Sequence, residues 1–396
     1  MTNKLPPIKG IKIGTANAGI KQQERADLAL FELPLQSTCV AVFTRNAFCA
    51  APVIIARQHL ATITPRFFLI NSGNANAGMG ERSLHDAEAC CETIAQLTGC
   101  NKQEVLPFST GVIGTPLPVE KIQAAIPTAL ANLDERGWEN AAQAIMTTDI
   151  VPKMVSKQLS INNRLVTITG IAKGAGMIKP DMATMLAFIA TDAKVEASLL
   201  QTCLKQAVAG SFNRISIDGD TSTNDACMLV ATGQGSSVID DSTLSQFSVA
   251  LTEVCLHLAK AIVQDGEGAT KFITISVEQG ASEAECLEVA YTIAHSPLVK
   301  TAFFASDANW GRILAAVGRA KVENFAIEAV QIYLGDVCIV RNSGMADTYT
   351  EELGQTIMSQ PEILVRVLLG RGSCEATIYT CDLSHDYIRI NAEYRT

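Results

Sequence analysis

Thr184 is the residue of this chain whose surroundings best suit covalent chemistry. It follows Lys173-Gly-Ala-Gly-Met-Ile-Lys-Pro-Asp-Met-Ala183 and opens directly into the apolar run Met185 to Ala190. An apolar run of that length, preceded by a Gly- and Pro-containing loop, reads as a buried strand with Thr184 at its mouth. A threonine hydroxyl needs a base beside it, and one compact solution makes the threonine a chain N-terminus whose own amine is the base. An α-amine titrates at about 7.7 to 8.0, so a usable fraction is neutral at working pH. The terminus would arise by cutting Ala183–Thr184, and the same hydroxyl can make the cut. Attack on the Ala183 carbonyl exchanges the amide for an ester, which water then hydrolyses. Small Ala183 leaves the approach open, and Gly174 and Gly176 permit an unusual backbone path. On spacing alone the ordinary reading competes strongly, because a β-branched residue heading a buried strand needs no chemistry to explain it.

The other candidates are weaker taken singly. Val105 to Gly114 reads as a strand ending in a Gly-containing turn, with Thr110 and Gly111 at its end. Thr147 and Thr148 precede Asp149, which suits a cap or turn. Lys173 is a lone cation, and such residues are usually solvated. Glu267 stands between Gly266 and Gly268, which exposes its carboxylate on a turn. Asn71-Ser-Gly-Asn-Ala-Asn76 is turn chemistry. The acidic segment Asn213 to Asp225 fails as a calcium loop, since the EF-hand template wants Gly where Thr223 stands and Glu where Leu229 stands; it is expected instead as a loop near the site. No G-x-x-x-x-G-K-[ST] phosphate loop occurs.

Taken together, these stretches resemble ornithine acetyltransferase, a self-cleaving arginine-biosynthesis family that in many bacteria also makes N-acetylglutamate. The matches are Val42-Phe-Thr44, Asn71 to Asn76, Ser109-Thr-Gly-Val-Ile-Gly114, Ile145-Met-Thr-Thr-Asp149, Lys173 to Asp192, Asp265-Gly-Glu-Gly-Ala-Thr-Lys271 and Ser306-Asp-Ala-Asn-Trp-Gly-Arg312. They stand in the family's order along nearly the whole chain. The resemblance implies Thr184 as nucleophile, cleavage between Ala183 and Thr184, and Thr110 with Gly111 as the oxyanion pair. It assigns substrate contacts to Thr147 (or its neighbour Thr148), Lys173, Thr184, Glu267, Asn391 and Thr396. Lys173 would meet a substrate carboxylate and help keep the Thr184 amine neutral, since a like charge disfavours protonation. If Thr396 reaches the site, extending the chain past it should harm activity.

The implied products of the cut are an α chain, 1–183, and a β chain, 184–396, assembled as an α2β2 tetramer. The implied reaction carries the acetyl group of N-acetylornithine to glutamate through acetyl-Thr184, releasing ornithine, with acetyl-CoA as a second donor. No metal or prosthetic group is expected. Two rivals remain open: a self-cleaving aminopeptidase or amidase, in which water takes the acyl group, and an amino-acid-binding protein in which Thr184 is only a strand residue.

The elements that must position these residues alternate between strands and helices, which places the fold in the α/β or α+β class. Apolar runs at 38–43, 66–70, 105–108 and 185–190, and strand-like alternation over 164–172, predict strands. Helical spacing predicts helices over 85–97 with Gly99 as the stop, 118–133 with a break or kink at Pro127, 140–146, 195–210 and 244–263. Beyond a Gly-, Ser- and Glu-rich shift at 278–284, helices are expected over 286–295 and 310–320, and strands over 327–340, 363–369 and 376–381. The resemblance sharpens this to a layered αββα sandwich over 1–280 and a smaller C-terminal α/β domain over 281–396.

Composition supports a globular chain of 396 residues, 48% hydrophobic and 18% charged. A net charge of −9 without a basic block speaks against nucleic acid. Twelve cysteines without a C-x-x-C pair, several inside apolar runs, read as reduced thiols. The start of the chain lacks the apolar core of a signal peptide and no run reaches membrane-span length, so a cytoplasmic location with no membrane partner is expected.

Overall fold

The computed structural model describes residues 5–21, 25–179 and 185–394. Ala183, Thr184 and Thr396 therefore lie outside the described residues. The chain divides into two compact units, 1–213 with 220–262 and 214–219 with 263–396.

The first unit is built on two sheets. One has the order β1 (Lys12–Ala16), β2 (Leu28–Glu32), β4 (Phe67–Asn74) and β5 (Val105–Val112). The other has the order β3 (Thr38–Phe43), β10 (Ala226–Ala231), β8 (Leu186–Thr191), β7 (Arg164–Lys173) and β6 (Lys153–Ile161). Side chains alternate across each strand. Ala29 and Phe31 of β2, Phe68 and Ile70 of β4, and Leu106 and Phe108 of β5 face the layer between the sheets, where they meet Ile171, Leu186, Phe188 and Met228. Phe188 fixes this layer: its ring lies 5.1 to 6.0 Å from those of Phe31, Phe68 and Phe108.

The opposite parity of the first sheet, Leu28, Leu30, Phe67 and Leu69, packs on α2 (Glu81–Thr98) and α3 (Val119–Ala131). Behind the second sheet runs α6 (Leu244–Gln264), whose Val254 and Leu258 crowd Gly170 of β7. With α5 (Ala197–Ala209) on β3 and β10, helices wall both outer faces. The unit is the expected αββα sandwich. On length and composition α6 could cross a membrane, yet half of its most apolar window is buried in the protein.

Two helices complete the unit. In α1 (Ala51–Thr62), His59 Nδ1 lies 2.8 Å from the Val105 carbonyl. In α4 (Trp138–Ala144), Trp138 stands edge-on to Phe31. Gly99 ends α2 in the left-handed conformation, as expected. The break or kink expected at Pro127 is not a boundary, because α3 runs through it. Proline forfeits only one ladder bond there, and buried Ile122, Ile126 and Ala129 hold the helix to the sheet. A short pair, β9 (Lys194–Val195) with β11 (Val238–Ile239), lies apart from both sheets.

The second unit is a six-stranded mixed sheet. Its order is β15 (Gly344–Met345), β14 (Val337–Arg341), β13 (Gln331–Leu334), β16 (Glu362–Leu368), β12 (Phe272–Gly280) and β17 (Cys374–Cys381). Its core takes in α7 (Glu283–Ala294), α8 (Pro297–Phe304) and α9 (Trp310–Gly318). Two further helices are α10 (Glu351–Met358) and α11 (His385–Ala392). The strand expected over 327–340 is a hairpin, turning at Gly335 and Asp336 between β13 and β14.

The boundary expected at 280 falls earlier. β12 ends at Gly280 but pairs with β16 and β17, so it belongs to the second unit, which takes up the chain at Val263. The composition shift at 278–284 marks the turn from β12 into α7.

Candidate active site

Where β5 leaves the first sheet, Thr110 and Gly111 run beside Ser72 and Gly73 of β4 in parallel register. A Cβ on Gly111 would lie 2.3 Å from the Gly73 carbonyl carbon, and its φ is +135°. Only glycine satisfies both demands. Thr110 is buried, and its Oγ1 accepts a hydrogen bond from Lys173 Nζ at 3.1 Å. Lys173 ends β7 in register with Leu186 at the head of β8. Two of the residues singled out in the sequence, one from each sheet, are thus brought into contact.

The loops beside them are cross-braced by amides. Ser109 Oγ donates to Asn71 Oδ1 at 2.5 Å, Asn71 Nδ2 to the Asn74 carbonyl at 2.9 Å, and Asn224 Nδ2 to the Ser109 and Ala75 carbonyls at 2.9 and 2.6 Å. The Asn-rich stretch therefore serves as a brace, in keeping with its reading as turn chemistry.

Thr147 reaches this place through Asp149. The Asp149 carboxylate accepts the Thr147 N–H at 2.9 Å, the Gly174 N–H at 2.7 Å and Lys153 Nζ at 2.6 Å, with both charged side chains of the ion pair essentially fully buried. Burial alone would push the Asp149 carboxyl up. The nearby Lys173 and Lys153 cations, with the hydrogen bonds from Lys153 and Gly174, hold it well below the usual carboxylate range. One carboxylate therefore ties the Thr147 turn to the backbone that follows Lys173.

A third lysine stands close by. Lys21 Nζ donates to the Met146 carbonyl at 2.5 Å, and burial, then Arg25, lowers its pKa from 10.5 to about 7 against the pull of Asp27. Asp27 itself is buried and accepts the N–H groups of Ala18, Ile20 and Lys21. Arg25 donates to the Thr147 carbonyl at 3.1 Å.

A cavity of about 30 Å³ lies beside the Thr110–Lys173 contact, lined by Thr110, Lys173, Gly174, Met185, Asn224 and Asp225 among others. It has room for one or two water molecules. Met185 is the residue next after Thr184 in the chain.

In the second unit, Glu267 and Asn391 also meet. Asn391 Nδ2 donates to Glu267 Oε2 at 2.7 Å. The Gly268 backbone is pressed so closely on the start of α11 that a Cβ there would sit 2.6 Å from Ser384 Oγ and from the Tyr387 nitrogen. Asp382 accepts the N–H groups of Thr270 and Lys271, and Ser384 Oγ donates to the Gly268 carbonyl. The Gly-Glu-Gly turn is thus clasped to the segment leading into α11.

Sequence reasoning missed Lys21, Asp149 as the joining carboxylate and Lys153; the loop 213–225, expected near the site, supplies Asn224 and Asp225 to the cavity, though neither was singled out. No spacing could have found the lysines. Asp225 had a faint signal, a charged residue directly before the wholly apolar strand β10. Among the described residues, no three His, Cys, Asp or Glu side chains gather as a metal site.

A helix-walled two-sheet sandwich thus gathers a hydroxyl, an ammonium and a buried carboxyl at its strand ends, beside the residue that follows a candidate nucleophile, a set of groups suited to acyl transfer. Residues 12–396 match the ArgJ family. The chain is 57% identical over 396 residues to the arginine biosynthesis bifunctional protein ArgJ of Methylococcus capsulatus, covering 99% of this chain and 97% of that one. It is 52% identical over 396 residues to its counterpart in Pseudomonas fluorescens, covering 99% and 98%. A crystal structure of arginine biosynthesis bifunctional protein argJ from Bacillus halodurans is 36% identical, with a TM-score of 0.48, covering 51% of this chain and 96% of that one. The chain belongs to the ArgJ family and is an acyltransferase of arginine biosynthesis.

Proposed function

We propose that this enzyme moves the acetyl group of N-acetylornithine to glutamate through an ester on Thr184, after cutting its own chain between Ala183 and Thr184. In the mature protein the freed Thr184 amine takes the proton from Thr184 Oγ as that oxygen attacks the acetyl carbonyl. The tetrahedral oxyanion is held by the Thr110 hydroxyl and the Gly111 N–H, and ornithine departs with the proton. Glutamate then attacks the acetyl ester, giving N-acetylglutamate and restoring Thr184. Lys173 and Thr147 receive the substrate carboxylate, while Glu267, set by Asn391, suits the ammonium of ornithine; Thr396 completes the substrate contacts. The second activity, acetylglutamate synthesis, loads the same threonine from acetyl-CoA. The cycle uses no bound metal or prosthetic group. The two chains form an α2β2 assembly.

The observation that carries this reading is the Lys173–Thr110 contact in a cavity that also takes in Met185, the neighbour of Thr184. A lysine held there keeps an adjacent amine unprotonated and so available as a base. The experiment is N-terminal sequencing with intact mass under denaturing conditions. Two termini are expected, one beginning Thr-Met-Leu-Ala, and Thr184→Ala should remain a single chain without acetyl transfer. A fully active enzyme that stays uncut would overturn the proposal. Acetyl delivered to water rather than to glutamate would make the protein a hydrolase of the same chemistry.

A further inference from the structure

Asp225 is 3% exposed, and its Oδ2 has no hydrogen-bond partner among the described residues. A buried carboxyl oxygen without a partner is costly and calls for an explanation. It lines the same cavity as Thr110, Lys173 and Met185. Its position is fixed by the sheet: the next residue, Ala226, donates its N–H to the Met185 carbonyl at 3.0 Å and stands in parallel register with Leu186. Asp225 is thus held beside the chain just after the Ala183–Thr184 bond. Burial pushes this carboxyl well above the usual range, more than a hydrogen bond from Ser222 and the Lys173 cation offset. It therefore keeps its proton where an ordinary aspartate has lost one.

Self-cleavage needs such a group, because before the cut the Thr184 nitrogen is an amide and cannot serve as a base. The mature enzyme's device is missing at the moment of maturation. An amide nitrogen also leaves poorly unless it is protonated as the bond breaks. We propose that Asp225 is the proton relay of the cut: its carboxyl protonates the departing Thr184 nitrogen and takes up the proton that Thr184 Oγ releases.

The step balances. A C–O bond forms between Thr184 Oγ and the Ala183 carbonyl carbon as the C–N bond breaks. The nitrogen gains one proton, Oγ loses one, and the carboxyl ends as it began. Water, for which the cavity has room, then splits the ester, leaving a carboxylate on Ala183 and restoring the threonine hydroxyl. This inference rests on the cleavage proposed above.

The test follows the precursor by intact mass after expression, in wild type, Thr184→Ala and Asp225→Asn, with circular dichroism and thermal midpoint as fold controls. The amide variant keeps shape and polarity but cannot pass a proton. We expect a folded Asp225→Asn chain cut at least about 100-fold more slowly than wild type, within the usual range for acid–base catalysis. Hydroxylamine should not cleave it, because the block falls before the ester. Asp225→Ala should be cut faster with added formate, an acid small enough to enter the space vacated, and this variant decides the matter if Asp225→Asn does not fold. Cutting of Asp225→Asn at the wild-type rate, accumulation of a hydroxylamine-sensitive ester, or indifference of Asp225→Ala to formate would each overturn the role of Asp225 while leaving Thr184 as nucleophile. An uncut wild type would instead overturn the cleavage reading itself.

Discussion

Thr110 and Gly111 illustrate two ways in which a single residue is constrained. Gly111 is dictated by space, since any Cβ would drive β5 off β4. Thr110 is dictated by chemistry, because valine would fill the same volume and lose only the hydroxyl that accepts Lys173. Thr110→Val should leave the thermal midpoint nearly unchanged yet lower kcat by about 10² to 10³, the usual effect of removing one oxyanion donor. Thr110→Ser should recover most of that loss. Steady-state kinetics on processed enzyme decides it, and a kcat within threefold of wild type for the valine variant would remove the hydroxyl from the mechanism.

Among the elements, the turn from α4 into β6 stands out because it buries an ion pair. Asp149 and Lys153 are four residues apart, a spacing that suggests a helix surface, yet Lys153 begins a strand and both side chains lie inside. Asp149→Asn would leave Lys153 charged and buried, a loss of about 3 to 5 kcal/mol where such pairs have been broken. Asp149→Asn with Lys153→Met should be markedly less harmful to stability than Asp149→Asn alone, while activity stays low in both because Thr147 and Gly174 lose their common anchor.

The acid limb gives a second readout. A carboxyl whose folded pKa is depressed contributes stability that is fully present above its unfolded value, near 3.8, and is lost as pH falls through its lower folded value. Wild type should therefore lose stability below about pH 4, and Asp149→Asn should show a shallower decline there in urea titrations. Equal slopes would contradict the charge assigned to Asp149.

This turn also shows where sequence reading stops. Helices with a clear period, such as α2 and α6, were legible because burial of one face leaves its mark on local spacing, and β8 because a strand buried on both faces is an unbroken apolar run. α1 was missed because its buried residues, Ala51, Pro52, Val53, Ile55, Ala56 and His59, crowd several sides and blur the period. The Thr110–Lys173 contact spans 63 residues. Local spacing holds nothing of it, and family resemblance singled out both residues without showing that they touch. Asp149 as a joining carboxylate was visible to neither.

For the molecule as a whole, the strand order β3-β10-β8-β7-β6 determines what a cut after Ala183 can do. β3, β6 and β7 precede the bond, whereas β8 and β10 follow it. The two chains would therefore interleave within one sheet, with β10 paired to β3 over 226–231 and β8 paired to β7 over 186–191. The layer between the sheets is shared as well, since Phe188 from the later chain packs on Phe31, Phe68 and Phe108 from the earlier one. Separating the chains means unpairing two of the four ladders of that sheet and exposing that layer, which amounts to unfolding the unit. Cleaved protein should elute as one species in native size exclusion at high salt, and the chains should part only through the transition that unfolds the sandwich. Phe188→Ala should lower the midpoint of that transition, with a loss of about 3 to 5 kcal/mol, and release both chains together. If either chain could be washed from the other in buffer, the two would be held by a surface contact, and the interleaved sheet would be wrong.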